Sequence, residues 1–255
     1  MKISYPFCWL AVLYYVLFPS MLAGQEADQL LREADSSYAA YEEEQALNLY
    51  QQVLDEEPNH YRALWRSSFL HARIGNRLDT EEKKKECFDR AIQLAERALE
   101  VDSTDSQSNF VMAVAMGRKA LISGAKDRVA ASRAIKKYAD LAIKYDSTHA
   151  GAWHVLGRWH FKVANLSWVE RLAANTLFGG VPGNASNQKA AESIRKAISL
   201  NDKYILYYYD LARIYEELDR EKEAIETCQT AMELPLLTPD DLDLKNQCQQ
   251  LIQNI

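Results

Sequence analysis

One short segment recurs along the chain and limits what it can fold into. Val53-Leu54-Asp55-Glu56-Glu57-Pro58-Asn59-His60 returns as Ala98-Leu99-Glu100-Val101-Asp102-Ser103-Thr104-Asp105. It returns again as Ala142-Ile143-Lys144-Tyr145-Asp146-Ser147-Thr148-His149, as Ala197-Ile198-Ser199-Leu200-Asn201-Asp202, and in short form as Ala231-Met232-Glu233-Leu234-Pro235. Each copy reads as a helix end that runs into a turn, where a new helix starts. The helix before each turn carries a row at i, i+4 and i+7: Ala46-Tyr50-Val53, Ala91-Ala95-Ala98, Ala190-Ile194-Ala197 and Ala224-Cys228-Ala231, with Ile135-Ala139-Ala142 as a looser copy. Alanine in such a row lets two helix backbones approach closely. A helical hairpin cannot bury its apolar face alone, and stacking hairpins buries it. The pattern predicts an all-α chain.

Successive copies lie 45, 44, 55 and 34 residues apart, and 34 is the tetratricopeptide (TPR) period. Trp153-Leu156-Gly157-His160 and Tyr208-Leu211-Ala212-Tyr215 place large, Leu, small and ring-bearing residues where the first helix of such a repeat needs them. We therefore expect a TPR-like superhelical solenoid of about five helix hairpins over residues 25–255. The first repeat, near Ala27–Ala40, puts Tyr38 one residue out of register. Thr238-Pro239-Asp240-Asp241 reads as an N-cap with Pro at the first helical position, opening a C-terminal cap helix. The excess over 34 is read as insertions between the two helices of repeats two to four. The largest, Lys162 to Ser186, begins with the capping box Ser167-Trp168-Val169-Glu170 and ends at Gly179-Gly180 and Pro182. It predicts an inserted helix in the fourth repeat, with Trp168, Leu172, Ala173 and Leu177 as an apolar stripe packed over neighbouring hairpins. Arg171 is its only base, which disfavours a membrane-surface role.

Several classes of chemistry have no support. A net charge of −6 lacks the basic footprint that nucleic-acid binding needs. The five histidines form no H-E-x-x-H, and no phosphate loop, nucleophile elbow or Cys/His metal pair is present. The expectation is a non-enzymatic chain with no cofactor and no metal. His160 fills a packing slot. Cys228 and Cys248 could pair if their helices are neighbours, but they read first as buried small hydrophobes.

Lys2 is the only charge before Glu26, and Phe7–Phe18 is an apolar run broken at Pro19-Ser20 and followed by Ala23-Gly24. This order reads as a signal peptide over residues 1–24, with residues 3–25 as an uncleaved membrane anchor in the alternative. The first reading implies a secreted or periplasmic chain, and the second makes membrane association depend on the leader.

The stretch from Gly157 to Pro182 resembles the regulator of microtubule dynamics family. Gly157, Trp159, Leu166, Ser167, Trp168, Glu170, Arg171, Phe178, Gly179 and Pro182 carry the match. The resemblance implies a TPR-like helical fold with no catalytic residues, an association with microtubules, and in some members an N-terminal membrane anchor. Combined with the leader, it suggests a bacterial envelope relative.

In a TPR array the first helices line the concave face. Repeat two then offers Arg62, Trp65, Phe69 and Ala72; repeat three Gln107, Phe110, Val114 and Gly117; repeat four Gly151, His154, Arg158 and Phe161; repeat five Leu206, Tyr209, Arg213 and Glu216. Two arrangements stay open: a free groove, or aromatics covered by the inserted helices with arginines paired locally. Two functions follow. One is an exported protein–protein interaction scaffold that binds a partner segment, acidic by complement to Arg62, Arg158 and Arg213. The other is a carrier of a lipid or other apolar ligand. In a cytosolic eukaryotic setting a microtubule-associated regulator is the third.

Overall fold

The recurring turns supply helix caps. The computed structural model describes residues 26–177, 180 and 183–255. In it, His60 Nδ1 accepts from the Ala63 N–H, Thr80 from Lys83, Asp105 from Gln107, His149 Nδ1 from Ala152 and Ser186 from Lys189. Each satisfies one donor that the first helical turn leaves open.

Twelve α-helices and no strand are found among the described residues. The first hairpin is α1 (residues 26–39) with α2 (Glu43–Glu56), and the second is α3 (Tyr61–Arg77) with α4 (Glu81–Val101). The third is α5 (Ser106–Leu121) with α6 (Ala125–Tyr145). The fourth pairs α7 (Ala150–Ala164) with α9 (Asn187–Leu200) and carries α8 (Trp168–Leu177) between them. The fifth is α10 (Ile205–Glu216) with α11 (Glu221–Glu233), and α12 (Asp241–Asn254) closes the chain. The architecture is a TPR-like solenoid with a helix inserted in the fourth repeat.

Two of the three expected insertions take another form. The extra 11 and 10 residues lengthen helices: α4 and α6 are each 21 residues long. Three α-helical turns span about 10.8 residues, so such an extension keeps the buried face in register. The added first turns of α4, with Glu81, Glu82, Lys83 and Glu86, are solvent-exposed.

All five alanine-type rows are buried. Gly157 shows why one position on α7 needs no side chain. A Cβ there would stand 2.6 Å from Ile194 Cδ1 and 3.2 Å from the Ala190 carbonyl, on the helix that packs against it. His160 is buried with its ring 5.0 Å from that of Trp159. Cys228 and Cys248 are buried free thiols on the neighbouring helices α11 and α12.

The start of α12 differs from the expected cap. The helix begins at Asp241, after Pro239, and Asp240 makes no side-chain cap. The buried Asp241 instead accepts from the Leu237 and Thr238 N–H groups and from Thr238 Oγ1, each at 2.7 Å.

The inserted helix lies the other way round from the expectation. Its buried residues are Glu170 and Ala174, while Trp168 is 72% and Leu172 51% exposed, and Val169 and Leu177 are also exposed. Glu170 decides the orientation. It accepts from Arg128 Nη1 at 2.7 Å and from the Ser167 N–H and hydroxyl at 2.9 and 2.7 Å. A carboxylate with three donors is well satisfied facing the protein, so the apolar face turns outward.

Candidate functional site

α3, α5 and α7 turn one face each toward the inside of the superhelix, and α1, α6 and α10 complete the wall. They line a cavity of about 730 Å³ that is partly open to solvent. One aromatic row runs through Phe69, Phe110 and His149, with ring centroids 5.4 and 4.5 Å apart. Gly151 leaves room for it, since a Cβ there would stand 2.8 Å from the Phe110 ring. A second row joins Tyr204, Tyr207 and His154 at 4.9 and 4.6 Å.

The cations of the cavity fall into two groups. At one end they are matched. The Arg73 guanidinium lies 2.8 Å from the buried Glu43 and 3.7 Å from Asp240, and Arg77 lies 2.6 Å from Glu43. Against the effect of burial, Tyr204 and Glu43 hold the Arg73 guanidinium pKa above its ordinary value, and Glu43 and Asp240 do the same for Arg77. Arg66 stacks over the Tyr38 and Trp65 rings at 3.7 and 4.2 Å, a cation–π arrangement. Arg128 is matched by Glu170.

At the other end the match is incomplete. Asp210 accepts from His154 Nε2 at 2.7 Å and Arg158 Nη1 at 3.2 Å. Burial would raise its pKa, but Arg158 and the His154 hydrogen bond hold it at about 2. Burial keeps His154 itself below its ordinary pKa, so a neutral imidazole donates its Nε2 proton to the carboxylate. Arg118 donates to Asn76 Oδ1 at 2.7 Å and has no ion-pair partner among the described residues. Burial, reinforced by Arg158, pulls its pKa down to about 10. Lys162 is lowered by burial and then by Arg158 and Arg213. Of these three cations only Arg158 is ion-paired among the described residues, to Asp210, and Asp240 acts on Arg118 at longer range.

Of the sequence-derived groove residues, Trp65, Phe69, Phe110, His154 and Arg158 line this cavity, with Gln107, Val114, Gly117, Gly151 and Leu206. Arg62, Phe161, Tyr209 and Arg213 do not. Arg62 is ion-paired to Asp35 at 2.8 Å on an exposed face. Phe161 is buried in the core between α7, α9 and α10, with Tyr209 packed on the same cluster. The Arg213 guanidinium lies 5.8 Å from the Phe161 ring. On α10 the cavity is lined by Leu206 and Tyr207, and Asp210 rather than Arg213 meets His154 and Arg158.

The template missed Tyr38, Arg66, Arg73, Arg118, Lys162, Tyr204 and Tyr207. Part of this was visible: Arg62, Arg66, Phe69 and Arg73 follow i, i+4, i+7, i+11, one helical face. Within the motif from Gly157 to Pro182, Trp159 and Leu166 line the cavity, and Trp159 Nε1 donates to the Ser132 carbonyl at 2.7 Å. Arg171 is exposed. Phe178, Gly179 and Pro182 lie outside the described residues.

Residues 30–255 match the family described as Regulator of microtubule dynamics protein 1-3. The chain belongs to the regulator of microtubule dynamics family. Regulator of microtubule dynamics protein 1 of Bos taurus is 26% identical over 230 residues, covering 89% of this chain and 72% of its own. Protein 2 of Homo sapiens is 25% identical over 193 residues, 75% of this chain. The chain spans about half the length of that relative, 47%. Among solved structures, a thermophilic TPR protein of Thermus thermophilus superposes with a TM-score of 0.63 at 18% identity, over 89% of this chain and 99% of its own. That likeness concerns the fold.

Family membership overturns one expectation. A secreted or periplasmic chain does not fit relatives that are animal proteins named as regulators of microtubule dynamics, because microtubules are built inside cells. The leader over residues 1–24 and the alternative anchor over residues 3–25 lie outside the described residues. Among the described residues, no helix is long and apolar enough to cross a membrane.

Proposed function

We propose that this chain is a non-catalytic, microtubule-related regulator that acts as a protein-interaction scaffold and holds a carboxylate-bearing segment of a partner in its cavity. The observation that carries this reading is the cluster of Arg118, Arg158 and Lys162, in which Arg158 alone has an ion-paired carboxylate, Asp210, among the described residues. A desolvated guanidinium without a carboxylate is costly. A further carboxylate entering the cavity would gain charge-assisted hydrogen bonds and offset the burial and the repulsion from Arg158 that lower the pKa of Arg118. The aromatic rows beside it offer anchors of the kind that dominate binding energy. The test is fluorescence titration with a Glu/Asp-rich peptide and its Gln/Asn counterpart. The acidic peptide should bind, with affinity falling as salt is added, and the amide version should bind at least about tenfold more weakly. Equal affinities would overturn the reading.

A second reading rests on the cavity's size and wall. Its volume of about 730 Å³ falls within the usual range for small-molecule sites, roughly 300–1,000 Å³, and aromatic rings form much of its wall. A carrier of a lipid or other apolar ligand would use the same space. Mass spectrometry of organic extracts of the purified protein distinguishes the two.

A further inference from the structure

α8 presents an apolar face to solvent and a polar one to the protein. Trp168, Val169 and Leu172 lie within about 100° of one another around the helix at 100° per residue, and all three are exposed. The surrounding charge is unlike that of the rest of the chain. From Ser106 to Ala191 there are twelve basic and four acidic residues, leaving eighteen basic and thirty-two acidic elsewhere. α6, which α8 packs against, concentrates this charge. Lys126, Arg133, Lys137 and Lys144 are spaced by 7, 4 and 7 residues, and all four are exposed. That spacing places them on one face, in a row of about 27 Å at 1.5 Å per residue. Arg133 Nη2 reaches the carbonyl of Gly180, just beyond α8, at 3.5 Å, so the basic row runs beside the apolar face. Lys126, Lys137 and Lys144 have no ion-pair partner among the described residues. On α8 itself, Arg171 is exposed at the edge of the apolar face.

We propose that α8 and the basic row of α6 dock this protein on an anionic lipid surface, with Trp168, Val169 and Leu172 entering the headgroup region. Charge complementarity selects this occupant. An interfacial helix needs an apolar face with Trp or Leu and neighbouring bases, and anionic leaflets attract each nearby Lys or Arg. The apolar face is on α8 and most of the bases are on α6, so α8 alone does not show the pattern. Docking does not depend on what fills the cavity.

The test is flotation of the full chain with phosphatidylcholine vesicles, with and without phosphatidylserine, over a salt series. Binding should require phosphatidylserine and fall with salt. Trp168→Ala with Leu172→Ala should weaken it at least about tenfold, and Lys126→Glu with Lys137→Glu by a similar factor. Leu236→Ala, at an exposed apolar residue elsewhere, should leave it unchanged. Brominated lipids should quench tryptophan emission less in Trp168→Phe than in the parent, a readout local to α8 that holds even if another segment also binds vesicles. Equal quenching in the two, or equal binding to neutral vesicles, would overturn the proposal. So would a dimer that Trp168→Ala dissociates without any change in lipid binding, which would assign the face to a second copy of this chain.

Discussion

Asp240, at the head of α12, lies 3.7 Å from the guanidinium of Arg73 on α3. The two residues are 167 positions apart in sequence, and their contact ties the last helix back to the second hairpin, bringing the two ends of the solenoid together around the cavity. The tie differs from the pair beneath it. Glu43 is almost fully buried and serves both Arg73 and Arg77, whereas the Asp240 side chain is 34% exposed. Glu43→Gln should therefore lower stability by about 3–5 kcal/mol, because it leaves two guanidiniums poorly compensated. Asp240→Asn should cost less than about 1 kcal/mol but raise the radius of gyration in solution scattering as the ends separate. Equal thermal losses for the two substitutions, with no change in size, would show that Asp240 only adds to a local cluster.

Gly157→Ala places a methyl 2.6 Å from Ile194 Cδ1 and 3.2 Å from the Ala190 carbonyl. Ile194 is fully buried, so it cannot swing into solvent. Overpacking of this kind costs about 1–3 kcal/mol, more than the gain of about 0.5–1 kcal/mol that Gly→Ala brings to a helix interior. Chemical denaturation should show a net loss. A stabilised variant would mean that α7 and α9 separate without cost.

The repeat architecture was legible because it rests on local signals: turn residues that cap helices, and alanine rows whose spacing survives insertions of about three helical turns. The cavity was legible only in part. Trp65, Phe69, Phe110, His154 and Arg158 occupy template positions, but a template assumes that every hairpin has the same rotation about its axis. On α10 only Leu206 of the four template positions lines the cavity, so Asp210, the carboxylate that organises His154 and Arg158, could not be placed from spacing. Tyr38 fell out of register because its ring turns toward Arg66 and the cavity. The contact between Arg73 and Asp240 has no local signature at all. α8 misled for a different reason. Its sequence holds an apolar face and a well-satisfied Glu170, and burying apolar residues is a weaker rule than satisfying a buried carboxylate that already has three donors.

Acid should destabilise the fold in a defined window. Burial, reinforced by Arg90, lowers the pKa of His71 to about 4, and its Nε2 lies 3.1 Å from Gln51 Nε2. An unfolded histidine titrates near 6.5. Between about pH 6.5 and 4 the unfolded chain binds the proton and the folded chain does not, so stability is complete above 6.5 and falls as the pH drops through this range. His149 and His154 are also lowered by burial and add in the same direction. Asp210 acts lower, between roughly pH 4 and its folded value of about 2. His71→Gln removes one titrating group, so its melting temperature should fall less steeply between pH 6.5 and 4. The same slope as the parent would place the acid sensitivity elsewhere.

The three cations near Asp210 should respond differently to removal, and the contrast separates a binding role from a structural one. Arg158 is tied to Asp210, which is almost fully enclosed. Arg158→Ala leaves that carboxylate with His154 alone, and breaking a buried pair in this way costs about 3–5 kcal/mol. A loss of binding in that variant would say little about direct contact. Arg118 donates to the neutral Asn76 amide and is held in a site that disfavours its charge. Arg118→Met keeps much of the apolar stem and removes the charge, so folding stability should hold or rise. Affinity for an acidic peptide should fall about tenfold or more, the loss of one charge-assisted hydrogen bond of roughly 1.5–3 kcal/mol. Lys162→Met should act in the same direction and less strongly, because Lys162 is more exposed. Paired measurements of melting temperature and peptide affinity on the three variants test this. If Arg118→Met lowers stability and leaves affinity unchanged, Arg118 supports the packing of α3 on α5 through Asn76, and the cavity's charge is not a recognition device.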